Sequence, residues 1–157
     1  MAGGFGYFAG WTTKRLSLEL GGKNPQIVFG DVALDDVLGD VLAGGLYNCG
    51  QNCAAGARVY VQRPLLDEFR ERAGAHLDGL AVGPGWQEGV DLRPIISAGQ
   101  LARISGFLDQ GSSTGASIAT GGGRPDGVPD GGFFMRPALL DVPDDDNVAR
   151  EEIFGPV

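Results

Sequence analysis

Residues 26–62 read QIVFGDVALDDVLGDVLAGGLYNCGQNCAAGARVYVQ, and this stretch decides the fold. Gln26 to Phe29 is a short apolar run and reads as a buried strand. Asp35 or Asp36 is placed to cap a helix that carries Val37, Leu38, Val41, Leu42 and Leu46 on its apolar side. That pattern fades at Tyr47-Asn48-Cys49-Gly50. Arg58 to Gln62 then reads as a second strand, with Val59 and Val61 on one face. Strand, helix, strand in this order predicts a right-handed parallel crossover, so the fold class is α/β.

The flanks extend the alternation. Upstream, Leu16, Leu18 and Leu20 alternate with Ser17 and Glu19 and predict a short strand ended by Gly21-Gly22. Downstream, Pro64 suits the first turn of a helix. Leu66, Phe69, Ala73, Leu77 and Leu80 give that helix an amphipathic stripe. Val82 to Asp91 reads as a loop. Ser97 followed by Gln100 predicts a capping box for a helix with Leu101, Ile104 and Leu108 inside. Ala116 to Thr120 is a weak strand, 121–132 a glycine-rich loop, and Phe133 to Val142 an extended segment broken at Pro137. No internal repeat is present.

Composition narrows the classes. A chain of 157 residues fits one domain. It holds 28 glycines, where ordinary usage of about 7% would give about 11. They follow no Gly-X-Y period, so collagen is excluded and tight turns are expected. A net charge of −8 argues against a nucleic-acid-binding surface. No run of 18 apolar residues occurs, so no membrane span or membrane partner is expected. Met1 to Tyr7 lacks the features of a secretory signal, which predicts a cytoplasmic protein with Cys49 and Cys53 as free thiols. The single histidine, His76, leaves no metal site in prospect.

Two residues stand out chemically. Cys53 lies where the helix gives way to the second strand, a position that commonly carries catalytic groups. A thiolate there is a strong nucleophile toward a carbonyl carbon, and successive N–H groups of the turn can stabilise an oxyanion. The competing reading is a buried structural cysteine, which composition alone favours; Cys49 takes that reading. Glu19, out of phase with three leucines, is either a solvated strand position or a general base activated by partial burial. A cysteine-protease dyad needs a histidine, and His76 falls on the amphipathic helix, beside its stripe. Gly21-Gly22-Lys23 is followed by Asn24-Pro25, so it is no P-loop, and no dinucleotide fingerprint follows a strand.

Three motifs then combine. Leu18-Glu19-Leu20-Gly21-Gly22-Lys23-Asn24-Pro25 resembles the glutamate signature of the NAD(P)-dependent aldehyde dehydrogenases. Asn48-Cys49-Gly50-Gln51-Asn52-Cys53-Ala54-Ala55-Gly56-Ala57-Arg58 resembles their cysteine signature, and Glu19 and Cys53 stand 34 residues apart, as the family pattern requires. Glu151-Glu152-Ile153-Phe154-Gly155-Pro156-Val157 resembles a third family motif. The resemblance runs from about Thr13 to the last residue. It implies a partial aldehyde-dehydrogenase-like catalytic domain over residues 13–157, with a largely parallel sheet flanked by helices. Residues 1–12 have no clear match, and the Rossmann-like cofactor domain and the C-terminal remainder are expected to be absent.

The resemblance also implies roles. Cys53 attacks an aldehyde, forming a thiohemiacetal and then a thioester, and Glu19 activates the hydrolytic water. Glu152 binds ribose hydroxyls of NAD or NADP, Phe154 packs near the nicotinamide, and Leu20 offers backbone contact to the carboxamide. Gln100 and Arg103 match positions at the adenosine end. The family's full-length members form homo-oligomers and act on small-molecule aldehydes. Two other readings stand beside this one: a cofactor-independent, esterase-type thiol hydrolase using the same cysteine, and a non-catalytic remnant or interaction module.

Overall fold

The computed structural model describes Arg15 and residues 17–157; residues 1–14, which include the segment 1–12, and Leu16 lie outside the described residues. Residues 17–20 form no strand, and Leu18 and Leu20 are exposed. Alternation marks a strand only where a neighbour pairs with it, and none of the described strands does so here.

The crossover is present. Strand β1 (Pro25–Val28) leads to helix α1 (Leu34–Leu46) and strand β2 (Arg58–Val61). The strands pair in parallel, with Pro25 opposite Arg58 and Val28 opposite Val61. The cap of α1 is Ala33, not Asp35 or Asp36. Those aspartates sit in the first turn, where their charge complements the helix dipole without bonding a free N–H. A 3-10 turn at Arg63–Leu65 carries Pro64 and feeds helix α2 (Leu66–Asp78). Val28, Leu38, Leu42, Phe69, Ala73 and Leu77 form one core, with Val59, Val61 and Leu139 packed against it.

The second half is built on helix α3 (Ala98–Thr114). Ser97 caps it, accepting the Gln100 N–H at 3.1 Å. The reciprocal half of the expected capping box does not form, because the Gln100 carboxamide turns to residues 153 and 154 instead. Strands β3 (Ser117–Thr120) and β4 (Leu139–Asp141) pair antiparallel, and a short helix α4 (Asn147–Arg150) follows. Ile104, Leu108, Met135, Val148 and Ile153 are buried together in a second core, which Leu46 and Leu80 join to the first. Among the described residues no helix is long and apolar enough to cross a membrane.

Candidate active site

Cys53 sits beyond a turn that runs against backbone preference. After α1, Tyr47–Gly50 form one 3-10 turn in which Asn48 (φ 51°) and Cys49 (φ 58°) are left-handed. Such a conformation costs roughly 1–2 kcal/mol for a residue with a Cβ, so contacts must hold it. The Cys49 thiol donates to the Arg93 carbonyl at 2.9 Å and accepts the Arg93 N–H at 3.1 Å. Burial pushes this thiol's pKa up, which keeps the hydrogen on sulfur and the donation intact. The Gln51 carboxamide donates to the Asn48 carbonyl at 3.3 Å and accepts the Ile96 N–H at 2.9 Å. Cys49 is therefore structural, and both cysteines are free.

Cys53 itself is half-buried. Its thiol lies 3.8 Å from the Asn52 side-chain oxygen, which also accepts the Ala54 N–H at 3.0 Å. The Cys53 carbonyl accepts from Asn24 Nδ2 at 2.7 Å, and the Ala55 carbonyl from the same nitrogen at 3.3 Å. Gln26 Nε2 donates to Val41 and Gly56 carbonyls at 2.9 and 2.8 Å. Arg58 Nε reaches back to the Lys23 carbonyl at 2.9 Å. Asn24, Gln26 and Arg58 thus fasten the cysteine turn to the segment that follows Glu19. Composition gave no sign of this. The available signal was two carboxamides on either side of Pro25, one just before the strand and one within it.

Glu19 is exposed. Burial of this carboxylate, the condition set for a base on sequence grounds, is not met by these residues alone. Its Oε1 accepts the Gly21 N–H at 3.0 Å. A Cβ on Gly21 would stand 2.9 Å from that oxygen and 3.7 Å from the Cys53 carbonyl, so Gly21 lies between base and nucleophile turn. Gly22, at φ +147°, lies directly under the Glu152 carboxylate, and any side chain there would collide with it. Lys23 is buried, and its pKa falls to about 8 through desolvation and the nearby Arg58, opposed by Glu152.

The third motif folds onto the other two. Phe154 is left-handed at φ 59° and 37% exposed. Gln100 Nε2 donates to the carbonyls of Ile153 and Phe154 at 3.0 and 2.8 Å. The Arg103 guanidinium donates to the carbonyls of Glu152 and Ile153. Both side chains, expected at the adenosine end of a cofactor, here clamp the segment that carries Glu152 and Phe154. His76 is exposed on α2. Among the described residues no group of three His, Cys, Asp or Glu could hold a metal.

The site is thus an α/β unit in which a cysteine turn is pinned to a glutamate segment, with the Glu152 carboxylate over Gly22. The chain belongs to the aldehyde dehydrogenase family, whose model matches residues 7–157. It is 38% identical to betaine aldehyde dehydrogenase of Rhizobium johnstonii over 92% of this chain and 30% of that one. It is 40% identical to the Brucella ovis protein of that name over 95% of this chain and 31% of that one. The NAD+ complex of Bacillus cereus aldehyde dehydrogenase superposes with a TM-score of 0.89 at 35% identity, covering 95% of this chain and 30% of that one. Staphylococcus aureus betaine aldehyde dehydrogenase with NAD+ gives 0.88 at 33% identity, over 94% and 30%. The chain spans about 30% of the length of these relatives.

Proposed function

We infer that these residues are the central catalytic part of an NAD(P)-dependent enzyme that oxidises an aldehyde to a carboxylic acid, with Cys53 as nucleophile and Glu19 as general base. The observation that carries this reading is the tie between the two segments. Asn24 donates to the Cys53 carbonyl, and Gly21 lies between that carbonyl and the Glu19 carboxylate.

The surroundings of Gly22 fit the nicotinamide end of a dinucleotide. The Glu152 carboxylate over Gly22 offers acceptors for ribose hydroxyls. Phe154 presents ring surface, and Leu20 is exposed with its backbone available to a carboxamide. Gln100 and Arg103 hold Glu152 and Phe154 in place and complete the cofactor side of the site toward the adenosine end.

The thiolate of Cys53 forms a C–S bond as the carbonyl π pair moves to oxygen. Among the described residues the Cys53 N–H has no backbone acceptor, so it is available to that oxyanion. Bound NAD(P) supplies the hydride acceptor that takes the thiohemiacetal to the thioester. Glu19 removes a proton from the attacking water, the C–S bond breaks, and Cys53 leaves as thiolate.

p-Nitrophenyl acetate tests nucleophile and base without a cofactor. The expected result is acetylation of Cys53 by mass spectrometry, none in Cys53→Ala, and slower deacylation in Glu19→Gln. Equal hydrolysis by wild type and Cys53→Ala overturns the assignment. Alone, these residues are expected not to oxidise aldehydes with NAD or NADP. A held cofactor is required, and misplacement by about 1 Å costs about a hundredfold. Robust turnover overturns that part.

A further inference from the structure

Asn52, the residue before Cys53, is half-buried and held at both of its carbonyl groups. Its main-chain carbonyl accepts the Ala55 N–H at 3.0 Å. Its side-chain Oδ1 accepts the Ala54 N–H at 3.0 Å. This is an Asx turn, in which a side chain stands in for a backbone turn. An N–H needs an acceptor, and a carboxamide nitrogen is none, so the Ala54 bond fixes which arm of the carboxamide faces the turn. Nδ2 is the arm left over. Among the described residues it donates to nothing, and none of their side-chain nitrogens is buried without a partner, so Nδ2 is open to solvent.

This free donor stands close to the nucleophile. Cys53 Sγ lies 3.8 Å from Asn52 Oδ1. The two arms of a carboxamide are about 2.3 Å apart, which places Nδ2 no more than about 6 Å from the sulfur. The turn holds that range, because Asn24 Nδ2 secures the Cys53 carbonyl at 2.7 Å and the Ala55 carbonyl at 3.3 Å. When Cys53 bonds to a carbonyl carbon, an oxygen on the next carbon is three bonds from the sulfur and within reach of such a donor. An alkyl group in its place offers the donor nothing.

We propose that Asn52 is a specificity-determining residue, donating from Nδ2 to an oxygen on the carbon next to the reacting carbonyl, so that the site prefers 2-hydroxy and 2-alkoxy aldehydes to alkyl aldehydes of the same size. This rests on Cys53 as the nucleophile and deepens that reading by naming a substrate class. One neutral hydrogen bond, net of the water it replaces, favours the oxygen-bearing substrate about three- to tenfold.

The test uses the intact 157-residue chain without cofactor and two activated esters of equal length, p-nitrophenyl methoxyacetate and p-nitrophenyl butyrate. With each, Cys53 forms the C–S bond and p-nitrophenolate leaves. The esters differ by one ether oxygen in place of a methylene, and an ether oxygen only accepts, so it reports on Nδ2 and not on Oδ1. The quantity read by mass spectrometry is the ratio of the two Cys53 acylation rates, in wild type, Asn52→Leu and Asn52→Asp. The inherent difference in ester reactivity is common to all three and cancels. Asn52→Leu keeps the size and removes the donor. Asn52→Asp removes the donor but keeps an acceptor for the Ala54 N–H. The ratio is expected to fall about three- to tenfold in Asn52→Leu, and at least as far in Asn52→Asp, whose carboxylate repels the ether oxygen. A ratio unchanged in both variants overturns the proposal; equal slowing of both esters would assign Asn52 to the oxyanion instead. A fall in only one variant also overturns it, since a broken turn or a new charge, and not the missing donor, is then the cause. Absence of Cys53 acylation by either ester overturns the nucleophile, and this inference with it, whereas the other outcomes leave the nucleophile standing.

Discussion

Gly50 and Gly155 touch backbone to backbone: a Cβ on Gly50 would overlap the Gly155 carbonyl oxygen. The residues are far apart in sequence, one in the cysteine turn and one in the final motif. Their contact lets the segment bearing Glu152 and Phe154 close over the turn bearing Cys53. Gly50 also takes φ 66°, which a side chain resists.

Gly50→Ala is expected to destabilise the chain by about 2–4 kcal/mol, through a backbone clash and a strained φ together. Urea unfolding measures it. A loss under about 0.5 kcal/mol, typical of a harmless surface change, would show that the contact does not form.

Asn24→Ala removes the donor that serves the Cys53 and Ala55 carbonyls. The expected cost is about 1–2 kcal/mol, with slower acylation of Cys53 by an activated ester. Asn24→Asp, which replaces the donor by a carboxylate, is expected to be at least as damaging. Unchanged acylation in both variants would remove Asn24 as the positioning residue.

Cys49 and Cys53 should separate under alkylation. Cys49 is buried, bonded to Arg93, and its pKa is raised by burial; Cys53 is half-buried. Iodoacetamide in the native state is expected to label Cys53 at least tenfold faster, with Cys49 reached only on unfolding. Peptide mapping over time reads this, and comparable native rates would contradict the hydrogen-bonded thiol.

Lys23 sets a pH dependence of opposite sign to that of a paired lysine. Its folded pKa falls from 10.5 to about 8, first through burial and then through Arg58. Below pH 8 both states carry the proton and the folded state bears the full penalty. Between about pH 8 and 10.5 the unfolded chain binds more protons, so this group's contribution to stability rises with pH. Lys23→Met is expected to raise the Tm at pH 7 by roughly 3 °C or more, with the gain shrinking across that window. A gain independent of pH would show that the charge is not the cause.

The crossover β1–α1–β2 was legible because apolar period and turn residues report local structure directly. So were the segments bearing Cys53 and Glu19, the proposed nucleophile and base, as recognisable motifs. The strand expected over Leu16–Leu20 was not found over the described residues 17–20, because pairing depends on a neighbour that alternation does not reveal. The cap at Asp35 or Asp36 shifted to Ala33, since residue type marks a helix start only to within a turn. Asn24 and Gln26 went unremarked because their partners are main-chain carbonyls some 15 to 31 residues away.

By itself the sequence determined the class of fold, the order of its first elements and the three family motifs. Those follow from short-range periodicity and from side-chain type. The tertiary structure decided how the segments meet: Glu152 over Gly22, Asn24 on the Cys53 carbonyl, Gln100 and Arg103 turned from a helix cap to a clamp. These are long-range backbone contacts, made where two main chains or a side chain and a carbonyl come close, and no local pattern of residues encodes them.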